Sequence, residues 1–245
     1  MARGRPALPA LGVRNSGRDA GALRDQARGV SSLAPAELMG KFESLGHNCE
    51  FGLAQRQMGN ETLGLLRFSG IDPSQLIDGL EVGFEGVDEA AGLKIEARGK
   101  VTQEFIGRVE KYRIEFHTHR PAEMDKIKAV RREVLASLKF RRRMLLEHME
   151  NADKIFVFQN GGAMGVEEAR AILTVLRKYG NNSLLFVTES DGEVGSARVV
   201  EDGIYHGVVA RFAPWDRVDR EVDGEVWLSV CANAYRLWRE DGGKS

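Results

Sequence analysis

The sequence predicts an α/β protein built on an open, mainly parallel sheet with helices on both faces, and three observations carry that prediction. Residues 154–158 (KIFVF) and 184–187 (LLFV) are compact apolar runs, the length of strands and apolar enough for burial on both sides. Between them Ala169, Ile172, Leu173 and Leu176 recur at helical spacing. Glu167 and Glu168 open that helix and Arg177 and Lys178 close it, matching its dipole at both ends. The pattern is a β-α-β unit, so the two strands are expected to be parallel neighbours joined by a right-handed crossover. Third, residues 93–97 and 104–119, with Gly99 and Lys100 between them, read as an inserted antiparallel β-region at about 93–119. The expected architecture is a Rossmann/flavodoxin-like sheet with that insertion, in a single domain over residues 32–240.

The bulk numbers set the class. With 245 residues, 42% hydrophobic and 29% charged, the chain suits a globular α/β protein. A net charge of −1 gives no electrostatic footprint for nucleic acid. Two cysteines make neither a disulfide framework nor a CxxC metal pair, and the five histidines lack HExxH spacing. No run reaches the length of a membrane span. A cytoplasmic, reduced protein without a metal site is the expectation.

Residues 1–31 carry six arginines, two aspartates and no periodic apolar pattern, which predicts a disordered basic tail, or sequence ahead of the true start. Ser32 and Pro35 mark a short helix through Met39. Residues 62–68 (TLGLLRF) read as a strand with one charge, Arg67, which either snorkels outward or pairs with an anion. Asp72 and Pro73 start a helix whose apolar face is Leu76, Ile77 and Leu80.

In the strand 112–119, alternation puts Tyr112, Ile114 and Phe116 on one face and His117 and His119 on the other. Those histidines are either a solvated sheet face or part of a site. Residues 121–149 predict one long helix with Ile127, Val130, Val134, Leu138, Leu145 and Met149 as its apolar stripe. Arg141 falls on that stripe, which signals a break in the helix, a buried ion pair or an anion contact. Residues 197–200 and 205–212 form a hairpin around 201–203. In the last helix Trp227, Val230, Cys231, Ala234 and Trp238 share one face, so Cys231 belongs to the core.

Chemistry concentrates at residues 41–58 (KFESLGHNCEFGLAQRQM), a short strand over 42–45, a tight turn and a helix opening beside Cys49. Unpaired N–H groups and the dipole favour a thiolate there. Free cysteines more often serve as small buried hydrophobes. Gly46 permits the sharp turn, and Asn48 and Glu50 flank the thiol with polar groups that suit a pocket. If this strand joins the sheet, its turn and the loop at 159–163, which contains Asn160, share the rim beyond the strands' carboxyl ends, where such sheets bind ligands.

Several stretches together, SLGHNCEFG (44–52), YRIEFHTH (112–119), KIFVFQ (154–159) and RFAPWD (211–216), resemble an uncharacterised bacterial family catalogued as papain-like cysteine peptidases. That family shows a recurring Ser-Leu-Gly-x-Asn-Cys-Glu motif. The resemblance covers residues 40–235 and implies Cys49 as nucleophile and His117 as base, with His119 as the alternative. A papain-like fold is not expected to contain the β-α-β unit at 154–187. The Gly-x-Asn-Cys turn is also similar to the Gly-Asn-Cys start of WcbI-type capsule-polysaccharide acetyltransferases. The chain departs there by one residue of spacing and by Glu50 where glutamine is usual. This second resemblance implies a surface polysaccharide or its precursor as substrate, and coenzyme A as the cofactor of an acyltransferase.

Two functions are therefore expected in competition. One is cysteine-dependent acyl transfer or hydrolysis by Cys49 and His117, with Asp216 or Asn48 orienting the histidine. Asn48, Glu50, Arg67, His119 and Asn160 would then contact a small-molecule or glycan substrate. The other is a non-catalytic module binding a nucleotide-sugar or phosphate at the same rim through Arg67, Arg141 and the loop at 159–163. An intracellular peptidase, the third reading, has no substrate-groove signal in the sequence.

Overall fold

A computed structural model describes residues 20–99, 103–123, 126–159, 165–213 and 222–243. Helices α1 (Ala20–Ser31) and α2 (Pro35–Met39) lead into strand β1 (Phe42–Ser44) and helix α3 (Glu50–Gln57). Strand β2 (Ser69–Gly70), helix α4 (Pro73–Glu81) and strands β3 (Leu93–Arg98), β4 (Glu104–Val109) and β5 (Ile114–Pro121) follow. Then come α5 (Ile127–Asn151), β6 (Ile155–Gln159), α6 (Val166–Leu176), β7 (Ser183–Glu189), the hairpin β8 (Ala197–Glu201) and β9 (Ile204–Val209), and α7 (Gly224–Glu240).

These strands make two sheets. The larger has the order β1-β6-β7-β9-β8, parallel throughout except for the antiparallel pairing of β8 with β9. The smaller, β2-β5-β4-β3, is antiparallel and includes the expected insertion. The β-α-β unit is as the sequence predicts: Ile155 to Gln159 pair in parallel with Ser183 to Val187, and α6 lies between them in the chain.

Alternation within the parallel strands sorts the core into two layers. Phe156, Phe158, Leu184 and Phe186 face α4, α5, α6 and the inner face of the smaller sheet. Ile155, Val157, Leu185 and Val187 face α1, α2, α3 and α7. Helices on both faces account for the unbroken apolar character of β6 and β7, since neither face meets water.

Three expectations change. The parallel strands run in sequence order across the sheet, without the reversal of strand order that defines doubly wound folds. Residues 20–31, expected within a disordered tail, form α1: Ala27 is buried in the layer shared with α7, and Arg24 reaches Glu225 at 2.7 Å. A segment too polar to fold alone gains its stability from a tertiary partner. Residues 62–68 do not form a strand. The carbonyls of Asn60 and Thr62 accept from the Arg67 guanidinium, so a side chain takes the bonds a neighbouring strand would have made.

Candidate functional site

Cys49 stands one turn beyond the carboxyl end of β1, at the N-cap of α3, with helical dihedrals and partial exposure. The chain reaches it through two successive left-handed residues, Gly46 at φ 90° and His47 at φ 78°. Only glycine adopts that region freely, so His47 carries backbone strain of about 1–3 kcal/mol that the surrounding contacts must hold. A Cβ at Gly46 would lie 2.9 Å from Ile71 and 3.2 Å from the carbonyl of Ser69, so the turn is pressed against the edge of the smaller sheet. The His47 ring meets Phe158 edge-on at 6.3 Å. Burial pushes its imidazole pKa down, with Asp72 pulling the other way.

The residues on either side of Cys49 clamp the rim. Asn48 is buried; its side-chain oxygen accepts the Glu50 N–H at 2.8 Å and also the amide of Gln159, the last residue of β6. Glu50 is buried as well and accepts from the indole N–H of Trp227 at 3.1 Å and from the N–H of Ala213 at 2.7 Å. Cys49 thus sits between two side chains that fasten its turn to the ends of other elements. Asn160 and Asp216, which follow Gln159 and Ala213 in the sequence, lie outside the described residues.

α3 has two faces. Phe51, Ala54 and Met58 enter the core, and Phe51 lies 5.1 Å from Trp227. Cys49, Gly52 and Arg56 share the opposite face by helical spacing. That face lies on residues 67–68: a Cβ at Gly52 would fall 2.4 Å from the Arg67 carbonyl and 2.7 Å from the Phe68 ring, and Arg56 stacks over Phe68 at 4.8 Å. The same segment continues into β2, which pairs Ser69 with Phe116 of β5. Residues 67–70 therefore link the cysteine face of α3 to the strand that carries the histidines.

On β5, Ile114 is buried in the core while His117 points to the outer face and is partly exposed. Its Nδ1 lies 2.5 Å from the Glu104 carboxylate across the β4–β5 bulge. Glu104 is the residue that reasoning from sequence did not single out. Its only signal was a place at the start of the segment 104–119, read as antiparallel β-structure. The side chain of His119 is outside what is described. The other two histidines are accounted for by structure, His148 beside Asp153 at 3.2 Å and His206 stacked on Phe186 at 4.6 Å and bonded to Thr188 at 2.8 Å.

The remaining expected contacts are structural ties. Arg67 is 3% exposed and gives its guanidinium to the carbonyls of Thr62, Asn60 and Gly52 with the Glu61 carboxylate at 3.9 Å, so it does not snorkel outward and its anion is a neighbouring side chain. Burial pushes its pKa down to about 10, opposed by Glu61. Asn48 and Glu50 are likewise committed to the clamps described above. Cys231 is fully buried in α7, and burial pushes its thiol pKa well up. Among the described residues no group of three or more His, Cys, Asp or Glu could hold a metal, and no helix is long and apolar enough to cross a membrane. Comparison of the chain with protein-family models, with curated proteins and with solved structures gave no match.

Proposed function

We propose that the chain performs cysteine-dependent acyl transfer or hydrolysis, with Cys49 as the nucleophile and an imidazole of β5 as its base. The observation that carries this reading is the location of Cys49. Its thiol is partly exposed at the start of α3, on a strained turn, between two residues that clamp the turn to the rim of the parallel sheet. First-turn N–H groups and the helix dipole favour the thiolate and the oxyanion that forms from an attacked carbonyl. The Asn48 oxygen already satisfies the N–H of Glu50, so the amides beyond it supply that field.

In the proposed reaction the Cys49 sulfur attacks a carbonyl carbon and the carbonyl electron pair moves to oxygen. Collapse of the adduct breaks the bond to the leaving group (an alkoxide, an amine, or the thiolate of coenzyme A where an acyl-coenzyme A is the donor), which takes a proton from the imidazolium that the Cys49 thiol has charged. Water or an acceptor hydroxyl, deprotonated by the same imidazole, then attacks the thioester and releases the thiolate. His117 is the assigned base because its Nδ1 meets the carboxylate of Glu104, a positioning residue that would orient the ring. A glycan precursor as acceptor and coenzyme A as donor rest on the WcbI-type resemblance.

The test is the pH profile of Cys49 alkylation by iodoacetamide in the wild type, His117→Ala and His119→Ala. Loss of the base should raise the inflection and slow labelling at pH 7 by about tenfold. An effect confined to His119→Ala would move the base to that residue. Identical profiles in all three proteins would end the acid–base reading.

A further inference from the structure

We infer that a cleft between α5 and the inner face of the smaller sheet binds a small organic anion, a carboxylate or phosphate attached to a flat apolar group, with Arg141 as its counter-charge. The cleft has a volume of about 230 Å³, and Cys49 does not line it. Phe68 and Phe116 form apolar walls, Ser69 and Ser137 offer hydroxyls, and Arg141 supplies the charge.

The argument starts from the anomaly in the helix. Arg141 follows Val130, Val134 and Leu138 at three- and four-residue steps on the face that α5 turns inward. α5 is continuous from 127 to 151, so the arginine does not mark a break. Nor does it belong to an ion pair: among the described residues no carboxylate reaches it, and its buried Nε has no hydrogen-bond partner. The charge nearest in effect is of the same sign, since Arg67 is held down in part by Arg141. Of the three explanations for an arginine on an apolar stripe, the anion contact is the one left.

The buried Nε of half-buried Arg141 lacks a partner, and an unmatched buried donor costs about 1–3 kcal/mol unless something compensates it. Other cations near the cleft are already compensated, which makes Arg141 distinct. Arg120 at the rim is bonded to Glu133 at 2.9 Å; Arg67, whose Nε also lacks a partner, gives its terminal nitrogens to carbonyls and has the Glu61 carboxylate at 3.9 Å, whereas Arg141 has no carboxylate among the described residues. Ser137 lies one turn before Arg141 on the same face of α5, so its hydroxyl can share an anion with the guanidinium fork. The volume is below that of common cofactor sites, which favours one acidic group on one small ring over a nucleotide.

The test uses the full chain, with inorganic phosphate, phenyl phosphate and benzoate as probes, and Arg141→Met as the variant. Saturable rises in melting temperature are expected for phenyl phosphate or benzoate in the wild type, and the stronger of the two identifies the acidic group. Arg141→Met should bind at least about tenfold more weakly, while its melting temperature without added anion is equal or higher because an uncompensated charge is gone. A melting temperature that falls in Arg141→Met would make the arginine a structural residue and overturn the inference. So would equal responses of the two proteins to the probes, or a wild type that responds to none of them.

Discussion

Trp227 donates its indole N–H to Glu50 across 3.1 Å, joining the first turn of α7 to the first residue of α3. The same carboxylate takes the Ala213 N–H at 2.7 Å, so one buried side chain satisfies two buried donors. Removing it leaves both without an acceptor, and each orphaned donor costs about 1–3 kcal/mol. Glu50→Ala should therefore lose about 3 kcal/mol in urea unfolding. Glu50→Gln retains one acceptor oxygen and should lose less. Equal losses for the two would mean that packing, and not acceptor loss, sets the cost.

Glu43 gives a pH dependence. Its carboxyl is fully buried on the edge strand β1, and burial raises its pKa from 4.5 to about 8 against the opposing pull of Lys154 and Arg67. The native group thus stays protonated to about pH 8, whereas the unfolded chain releases its proton near 4.5. Between those values the unfolded state binds fewer protons, so this group makes stability fall as pH rises. At one pKa unit per 1.36 kcal/mol the loss reaches up to about 3 kcal/mol near pH 7. Glu43→Gln, which does not titrate, should match the wild type near pH 4.5 and exceed it near pH 8. Parallel stability profiles from pH 5 to 8 would show that the native carboxyl is ionised throughout.

The two cysteines should differ sharply toward iodoacetamide. Cys49 is partly exposed at a helix start, while Cys231 is buried with its thiol pKa raised. In native protein Cys49 should be alkylated below pH 8.5, and Cys231 only after unfolding. Peptide mass mapping after partial labelling distinguishes them, and equal labelling would contradict the burial of α7.

The sequence made the parallel unit legible because β6, α6 and β7 are local: apolar runs, helical spacing and end charges all lie within one stretch of chain. α5 was legible for the same reason, and Arg141 stood out because it broke a regular stripe. The clamps around Cys49 were not. Asn48 with Gln159 and Glu50 with Trp227 are separated by 111 and 177 positions, and a polar residue beside a cysteine reads the same whether it faces substrate or a distant backbone. Arg67 misled in the opposite way. Its charge in an apolar run suggested a ligand, but the carbonyls of residues 60 and 62 accept from it and Glu61 is the carboxylate at 3.9 Å. α1 was hidden because its stability depends on α7, some 200 residues later.

The packing of α3 on residues 67–68 makes the last prediction. Gly52 is required there by contact, since a Cβ would sit 2.4 Å from the carbonyl oxygen of Arg67, and a backbone atom cannot yield as a flexible side-chain tip does. Gly52→Ala must push α3 away from that segment, at about 1–3 kcal/mol. Cys49 stands on the same helix face one turn earlier, so the displacement should reach the thiol and alter its alkylation profile. Gly92 provides the control: it lies between α4 and β3, and a Cβ there meets nothing within 4 Å. Gly92→Ala should leave both stability and Cys49 reactivity unchanged. A Gly52→Ala protein that is destabilised yet labels Cys49 like the wild type would separate the thiol from the 67–70 bridge. The route by which β5 is proposed to act on Cys49 would then have to be abandoned.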